Sequence, residues 1–121
     1  MIELMKALYT QINNAHAYKT YRTQAPDTAS YPYVVYKLLP IQNTEQDRDD
    51  YTLEISCWDK SNSDINVIQL ADSVREALVK FRHLDGFNLI IVSRPNVGYV
   101  PDPDAEIKRY DVTATLLTYR R

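Results

Sequence analysis

The spacing of hydrophobic residues predicts two helices. Near the amino end, hydrophobic side chains recur at i, i+3, i+4 and i+7, which is one stripe of a helix: Met5, Leu8, Tyr9 and Ile12. A second helix is predicted after Ser61 and Ser63, whose hydroxyls can cap its first turn. Arg82 and His83 suit its carboxyl end, and Gly86 suits its stop. Its buried stripe consists of Val67, Leu70, Ala71, Val74, Leu78 and Phe81.

Alternation and β-prone composition predict the strands. Tyr33 to Leu39 is β-branched and aromatic and ends at Pro40, while Tyr51 to Trp58 alternates cleanly between two faces. The stretch from Ile107 to Tyr119 alternates in the same way and predicts the last strand. Shorter strands are predicted for Tyr18–Thr23 and for Leu89–Ser93, with an extension past Pro95 to Val100 left open.

Polar segments separate these elements. Ile41 to Asp50 (IQNTEQDRDD) is acidic and predicts a long exposed loop, and Pro101 to Glu106 (PDPDAE) predicts a turn. The resulting order is α-β-β-β-α-β-β, which indicates an α+β fold. We expect a mixed or mostly antiparallel sheet of about five strands, with two helices packed on one face. The 121 residues fit a single domain, 1–121, without repeats or linkers.

Charge and composition narrow the function. The net charge of −2 lacks the basic excess of a protein that coats nucleic acid. Cys57 is the only cysteine, so no internal disulfide is available and a reducing compartment is indicated. Glu3 and the helical pattern around it do not fit a secretory leader, and the longest aliphatic run, Leu89 to Val92, is too short to span a bilayer. We expect a protein that is made in a cytoplasm and has no membrane partner.

Candidate catalytic chemistry is sparse. His16 and His83 fall at predicted helix ends, where solvated histidines are expected, and Cys57 lies within a strand as a small buried residue. The acidic cluster of 45–50 lacks the glycine and closing glutamate of a calcium loop. A magnesium nuclease could be assembled from Asp49, Glu54 and Lys60, but Glu54 is not followed by the lysine of an E-x-K pair. We therefore expect no enzyme, no metal and no cofactor.

Aromatic residues on strands are the remaining signal. Tyrosine supplies 10 of the 13 aromatic residues, more than one small core easily hides. Tyr and Trp are enriched in protein–protein interfaces, although β-propensity alone explains many of them. The residues predicted to form interfaces are Tyr33, Tyr36, Trp58, Tyr99, Tyr110 and Tyr119.

Four segments follow one another along the chain: the amino-terminal ELMKALYTQI, then SYPYVVYKL, YTLEISCWDKS and the carboxyl-terminal RYDVTATLLTY. In this order they resemble the tail-completion and tail-terminator-like proteins of long-tailed bacteriophages. The helix INVIQLADSVREAL falls between the last two, where the family pattern places it. The resemblance extends over nearly the whole chain.

This resemblance implies a structural protein of the virion. Such proteins form rings, commonly hexameric, that end the tail tube and dock to the neck or head connector. DNA passes through the ring without recognition of its sequence. The implied partners are further copies of the chain, the tail-tube protein and the neck protein. An acidic lining would let DNA slide, and the candidates for it are Glu45, Asp47, Asp49 and Asp50. Two alternatives remain open: a small nuclease of a mobile element, and a monomeric adaptor that binds proteins through a strand edge.

Overall fold

The computed structural model describes residues 2–40, 48–84, 88–93 and 95–120. Its two helices are α1 (Ile2–Asn14) and α2 (Ile65–Val79). Its strands are β1 (Lys19–Arg22), β2 (Tyr33–Pro40), β3 (Arg48–Lys60), β4 (Arg82–Leu84), β5 (Asn88–Val92), β6 (Asn96–Tyr99) and β7 (Ile107–Arg120).

All described strands join one mixed sheet in the order β1-β2-β3-β7-β5-β4, and β6 also pairs with β7. Only β1 and β2 run parallel; the other pairs are antiparallel. Strand β5 pairs with the second half of β7 and β6 with its first half, so the two lie end to end along one side of β7. The predicted α+β class, with two helices and a mixed sheet, is confirmed.

The strand prediction was right about every long strand and incomplete at one edge. The extension past Pro95 exists as β6, a separate strand. The Ser93 amide still donates to Thr115 O at 2.8 Å in the register of β5, whereas β6 pairs with β7 in a register shifted by one residue. The residues after α2 form β4 rather than the end of a helix. Arg82 and His83 are therefore strand residues, which the sequence did not predict. The Arg82 side chain still meets the end of α2 as expected, because its Nη1 donates to Val79 O at 3.4 Å.

Both helices pack on one face of the sheet. Leu53, Ile55 and Cys57 of β3 are fully buried against them, as the alternation predicts. The core continues with Leu4, Leu8 and Ile12 of α1, with Val67, Leu70, Ala71, Val74 and Leu78 of α2, and with Val34, Tyr36, Phe81, Val112 and Leu116. Tyr9, which was predicted in the α1 stripe, is 42% exposed, and Leu4 takes its place in the core.

The start of α2 uses the predicted serines in a modified way. Asp64 is the N-cap residue, but its side chain makes no capping hydrogen bond. The amide of Ile65 donates instead to Ser63 Oγ at 3.2 Å, and the amide of Ser63 donates to Ser61 Oγ at the same distance. The two hydroxyls thus satisfy amides at the helix entrance, which otherwise lack partners in the first turn.

The acidic segment is shorter as a loop than predicted. Strand β3 begins at Arg48, so Asp49 and Asp50 lie on a strand opposite Thr118 and Leu117 of β7. Long strand pairing extends β3 into the polar sequence because β7 supplies a partner for every residue of it. Glu45 and Asp47 lie outside the described residues.

Strand β1 ends at a residue with unusual backbone geometry. Thr23 has φ = 68°, in the left-handed region that β-branched residues rarely adopt. Its amide still donates to Tyr36 O at 2.8 Å, and the next amide, that of Gln24, donates to Arg22 O at 2.7 Å. The chain therefore turns sharply after four strand residues.

Candidate protein-binding surfaces

No described helix packs on the other face of the sheet, where Val35 and Ser56 are nevertheless buried. Because paired residues project to the same side, the register identifies its rows. One row contains Lys19, Tyr33, Trp58 and Arg109, and the next contains Tyr21, Val35, Ser56 and Asp111. We call this side the open face.

Aromatic rings form a cluster on the open face. Tyr33 stacks on Trp58 with ring centroids 6.2 Å apart and an interplanar angle of 20°. Tyr21 meets Tyr33 edge-on at 5.9 Å, and Tyr31 packs on it at 5.2 Å. Partial burial, followed by the neighbouring Tyr31, raises the pKa of the Tyr33 phenol. Tyr33 and Trp58 are half-buried, so part of each side chain stays accessible.

Arg109 connects this cluster to β7 through charge-assisted contacts. Its guanidinium carbon lies 4.8 Å from the centre of the Trp58 ring, in cation–π geometry. Its Nε and Nη2 donate to the two carboxylate oxygens of Asp111 at 2.9 and 3.0 Å. Nη2 also donates to Ser56 Oγ at 3.3 Å. The two-pronged pairing with Asp111 fixes the position of the guanidinium beside the indole ring.

The turn after β1 makes the open face concave. Thr23, Gln24 and Ala25 border a depression of about 240 Å³ whose floor includes Trp58 and Arg109. A larger hollow of about 600 Å³ lies between the end of α1, the start of β1 and residues 30–32. Both are open hollows rather than enclosed cavities, so neither isolates a ligand from water.

A second aromatic pair lies at the opposite edge of the sheet, on the helix side. Tyr99 of β6 packs on Tyr110 of β7 at 5.5 Å and is 55% exposed. The Tyr110 hydroxyl donates to Asp64 Oδ2 at 3.4 Å, at the start of α2. Partial burial and then the Asp64 carboxylate raise the pKa of Tyr110. Every residue of β6 is exposed.

The predicted interface residues separate into surface and core positions. Tyr33 and Trp58 lie together on the open face, Tyr99 and Tyr110 lie together at the β6 edge, and Tyr119 is half-buried near the end of β7. Tyr36 is only 2% exposed because its ring lies on the helix side, with its hydroxyl 3.5 Å from Met5 O. Tyr36 is therefore a core residue, and we do not propose an interface role for it.

Only two of the four residues predicted to form the acidic lining, Asp49 and Asp50, lie in the part of the chain that the structure describes. Asp50 is 7% exposed, so it does not lie on an exposed loop and cannot line a channel as predicted. Asp49 lies on β3, next to it. With Glu45 and Asp47 outside the described residues, their part of the prediction remains open.

The residues of the alternative nuclease site are spread along β3. Asp49, Glu54 and Lys60 all belong to this strand. At about 3.3 Å per residue, Glu54 and Lys60 are about 20 Å apart along it. Because Glu54 and Lys60 lie this far apart, the structure does not bring the predicted residues together around one metal ion.

The remaining reactive side chains have structural surroundings. Burial raises the pKa of the Cys57 thiol to about 12, so the nucleophilic thiolate is suppressed. Burial lowers the pKa of His16, whose Nε2 lies 2.8 Å from Thr20 Oγ1. Within the described parts of the chain, no three His, Cys, Asp or Glu side chains are grouped so that they could hold a metal ion. No described helix has the length and apolar character needed to cross a membrane.

Sequence reasoning missed Arg109 and Asp111 as members of the aromatic surface. Their spacing of two on an alternating strand was the available signal, since it places both on the same side. Their position beside Trp58 and Ser56 depended on the register of β3 with β7, which the sequence pattern does not specify.

Comparison with known proteins establishes the family. The sequence profile of the family described as Tail completion protein gp17 matches residues 5–119. The chain belongs to this family of phage tail completion proteins. It is accordingly a structural protein of a phage tail and a component of the virion. None of the curated proteins compared with the tail completion chain matches its sequence.

Solved structures share the fold at low sequence identity. A chain in the virion of a native gene transfer agent (GTA) particle matches with a TM-score of 0.68 and 16% identity, covering 96% of this chain and 94% of that one. A second solved chain also matches with a TM-score of 0.68, at 12% identity, covering 100% of this chain and 96% of its own length. At these identities the likeness shows a common fold of the tail completion chain and these two proteins.

Proposed function

We propose that copies of this chain close into a ring at the junction between the tail tube and the neck. The ring ends the growth of the tube and offers a docking surface to the neck or head-connector protein. It is hexameric in this proposal, following the tail-terminator-like proteins that the sequence resembles. DNA passes through the centre without being read.

Membership of the tail completion family over residues 5–119 is the observation that carries this proposal. The fold is compatible with it because the sheet has two different outer margins, β1 on one side and β4 with β6 on the other. A ring needs such unlike surfaces, since each copy must present one surface to the copy before it and another to the copy after it.

The side chains that we assign to this function form two groups, one on the open face and one in the acidic lining. Tyr33 and Trp58 are half-buried on the open face and are proposed to meet the tube or neck protein, because Tyr and Trp combine apolar contact with polar tips. Glu45, Asp47 and Asp49 remain the proposed acidic lining. Repulsion between this lining and DNA phosphates would keep the DNA mobile.

Three measurements test the proposal. Light scattering behind a sizing column should give a mass of six chains for the purified protein, and electron microscopy should show rings. Added to polymerising tail-tube protein of the same phage, the chain should shorten the tubes. A chain that stays monomeric at the highest concentration it tolerates, and leaves tube length unchanged, would contradict the proposal and favour a monomeric adaptor.

A further inference from the structure

The two margins of the sheet formed by β1 and β6 lie at the same level. Reading across the register, Thr20 of β1 shares a row with Val34, Cys57, Tyr110 and finally Tyr99 of β6. In the same way Tyr21 shares a row with Gly98, and Arg22 with Val97. Each margin is a strand of four residues. A closed ring has no rise from copy to copy, so contacting margins must lie at one level if the strands follow the ring axis.

The directions of the two margins are also compatible. Strand β1 is parallel to β2, and three successive antiparallel pairings then lead from β2 to β6. Strands β1 and β6 therefore run in opposite directions within one copy. Rotation about an axis along the strands preserves these directions. It places β6 of one copy antiparallel to β1 of the next, with the open faces on the same side.

The outward hydrogen-bonding groups fall on matching residues. The amide of Val100 donates to Arg109 O at 3.0 Å, so Val100 faces β7 and the main-chain groups of Tyr99 and Val97 point away from it. The amide of Thr23 donates to Tyr36 O, so the same alternation directs the main-chain groups of Thr20 and Arg22 away from β2. Arg22 O also accepts from the Gln24 amide at 2.7 Å, so a bond from Val97 would be the second that this carbonyl accepts. Tyr99 thus faces Thr20, and Val97 faces Arg22, as hydrogen-bonded pairs of an antiparallel ladder require.

The side chains add a complementary shape. Tyr21 would lie directly opposite Gly98 on the open face, in a pair without mutual hydrogen bonds, where side chains approach most closely. A side-chain carbon built on Gly98 would meet nothing within 4 Å, so the space above this glycine is free. An aromatic ring across from an edge glycine covers its exposed backbone. Exposed Lys19 would fall beside Val100, two residues from Asp102.

We propose that neighbouring copies join by antiparallel pairing of β6 (Asn96–Tyr99) of one copy with β1 (Lys19–Arg22) of the next. This inference rests on the proposed ring and identifies the contact that closes it. Strand β4 pairs beside β5 only, so the position beside β6 is not taken by any described strand. The incoming β1 fills that position.

Disulfide trapping tests the register. In an antiparallel pair of this kind the Cα atoms are about 4.5 Å apart, within the range that a disulfide spans. On oxidation, the double variant Tyr21→Cys with Gly98→Cys should form a ladder of disulfide-linked oligomers on a denaturing gel. The ladder should extend from two copies up to the number of copies in the ring and should disappear on reduction. Each single variant should lose the ladder. The matched control is Tyr21→Cys with Val97→Cys, whose thiols project from opposite faces and should not link. Native Cys57 is fully buried and can stay.

A backbone variant gives an independent readout. Val97→Pro removes an amide that points outward, leaving the bonds of β6 to β7 intact, and should abolish the oligomer on a sizing column. Val97→Ala keeps the amide and should retain the oligomer. Rings that form in Val97→Pro, with no ladder in the Tyr21 and Gly98 double variant, would overturn the edge pairing and leave the proposed ring standing. A ladder that also appears in the control pair would overturn it as well. Absence of any oligomer in the parent would overturn the ring itself.

Discussion

The two faces of the sheet use alternate residues of the same strands for different purposes. On β3, Leu53, Ile55 and Cys57 are fully buried under the helices, whereas Trp58 is half-buried on the open face. The covered face is held by apolar contact, and the open face by ring stacking and the Arg109–Asp111 pair. Stability should therefore depend on the first face. The second face can change with much smaller effects on folding.

The largest expected effect is on the covered face. Leu53→Ala leaves a cavity among fully buried neighbours and should lower the free energy of unfolding by about 3 kcal/mol. Leu39→Ala is the matched control, because Leu39 lies on the open face and is 45% exposed. It should change the free energy by less than about 1 kcal/mol. Urea denaturation measures both, and equal losses would remove the distinction between the faces.

Trp58→Ala should have an intermediate effect. The variant loses the stack on Tyr33 and the cation–π contact with Arg109, together worth about 2 kcal/mol. Trp58→Phe retains a ring and should recover about half of that loss. Chemical denaturation gives these values, and assembly is followed on a sizing column. A loss of 4 kcal/mol or more, typical of a fully buried ring, would place Trp58 in a core instead.

Alkaline pH should weaken the covered face through Cys57. Burial raises the pKa of this thiol from 9.0 to about 12, so above pH 9 the unfolded chain releases a proton that the folded chain keeps. Stability is therefore full below pH 9 and falls as the pH rises toward 12, by about 1.4 kcal/mol at pH 10. The difference in unfolding free energy between parent and Cys57→Ala, measured from pH 8 to 10.5, isolates this contribution. A pH-independent difference would contradict it.

The smallest expected effect is the coupling of Arg109 with Asp111 on the open face. Their two hydrogen bonds are partly exposed to solvent, so a double-mutant cycle with Arg109→Lys and Asp111→Asn should give about 1 kcal/mol. Raising the salt concentration should reduce it. Additive effects of the single and double variants would show that the contact with Asp111 contributes nothing to holding Arg109.

The sequence predicted the features of the fold that depend on the periodicity of hydrophobic residues. Alternation placed Leu53, Ile55 and Cys57 on a buried side, and the 3.6-residue spacing found α2. It failed where pairing overrides local composition. Arg82 and His83 suited a helix end, yet they form a strand because β5 offers a partner. Asp50 looked like loop sequence, yet β7 pairs along the whole of β3.

The candidate surface was less predictable than the fold. Tyr33 and Trp58 were identified by type, but their stacking follows from a register that only the β2–β3 pairing sets. Tyr36 was assigned to the surface because residue type alone does not say which side of β2 faces the helices. A residue of a strand can be assigned to a face only if it is known which of the two alternating sets of side chains is covered. In β2 both sets are mostly apolar, so the sequence does not distinguish them.

Prolines and a strained turn limit how much bare backbone the sheet exposes. Strand β6 lies between Pro95 and Pro101, and β1 is stopped by the left-handed Thr23, three residues before Pro26. Long unpaired strands recruit other polypeptides into fibres, and proline cannot donate the hydrogen bond that such growth needs. Keeping β1 and β6 to four residues each limits the length of bare backbone that they offer to a fibre-forming strand.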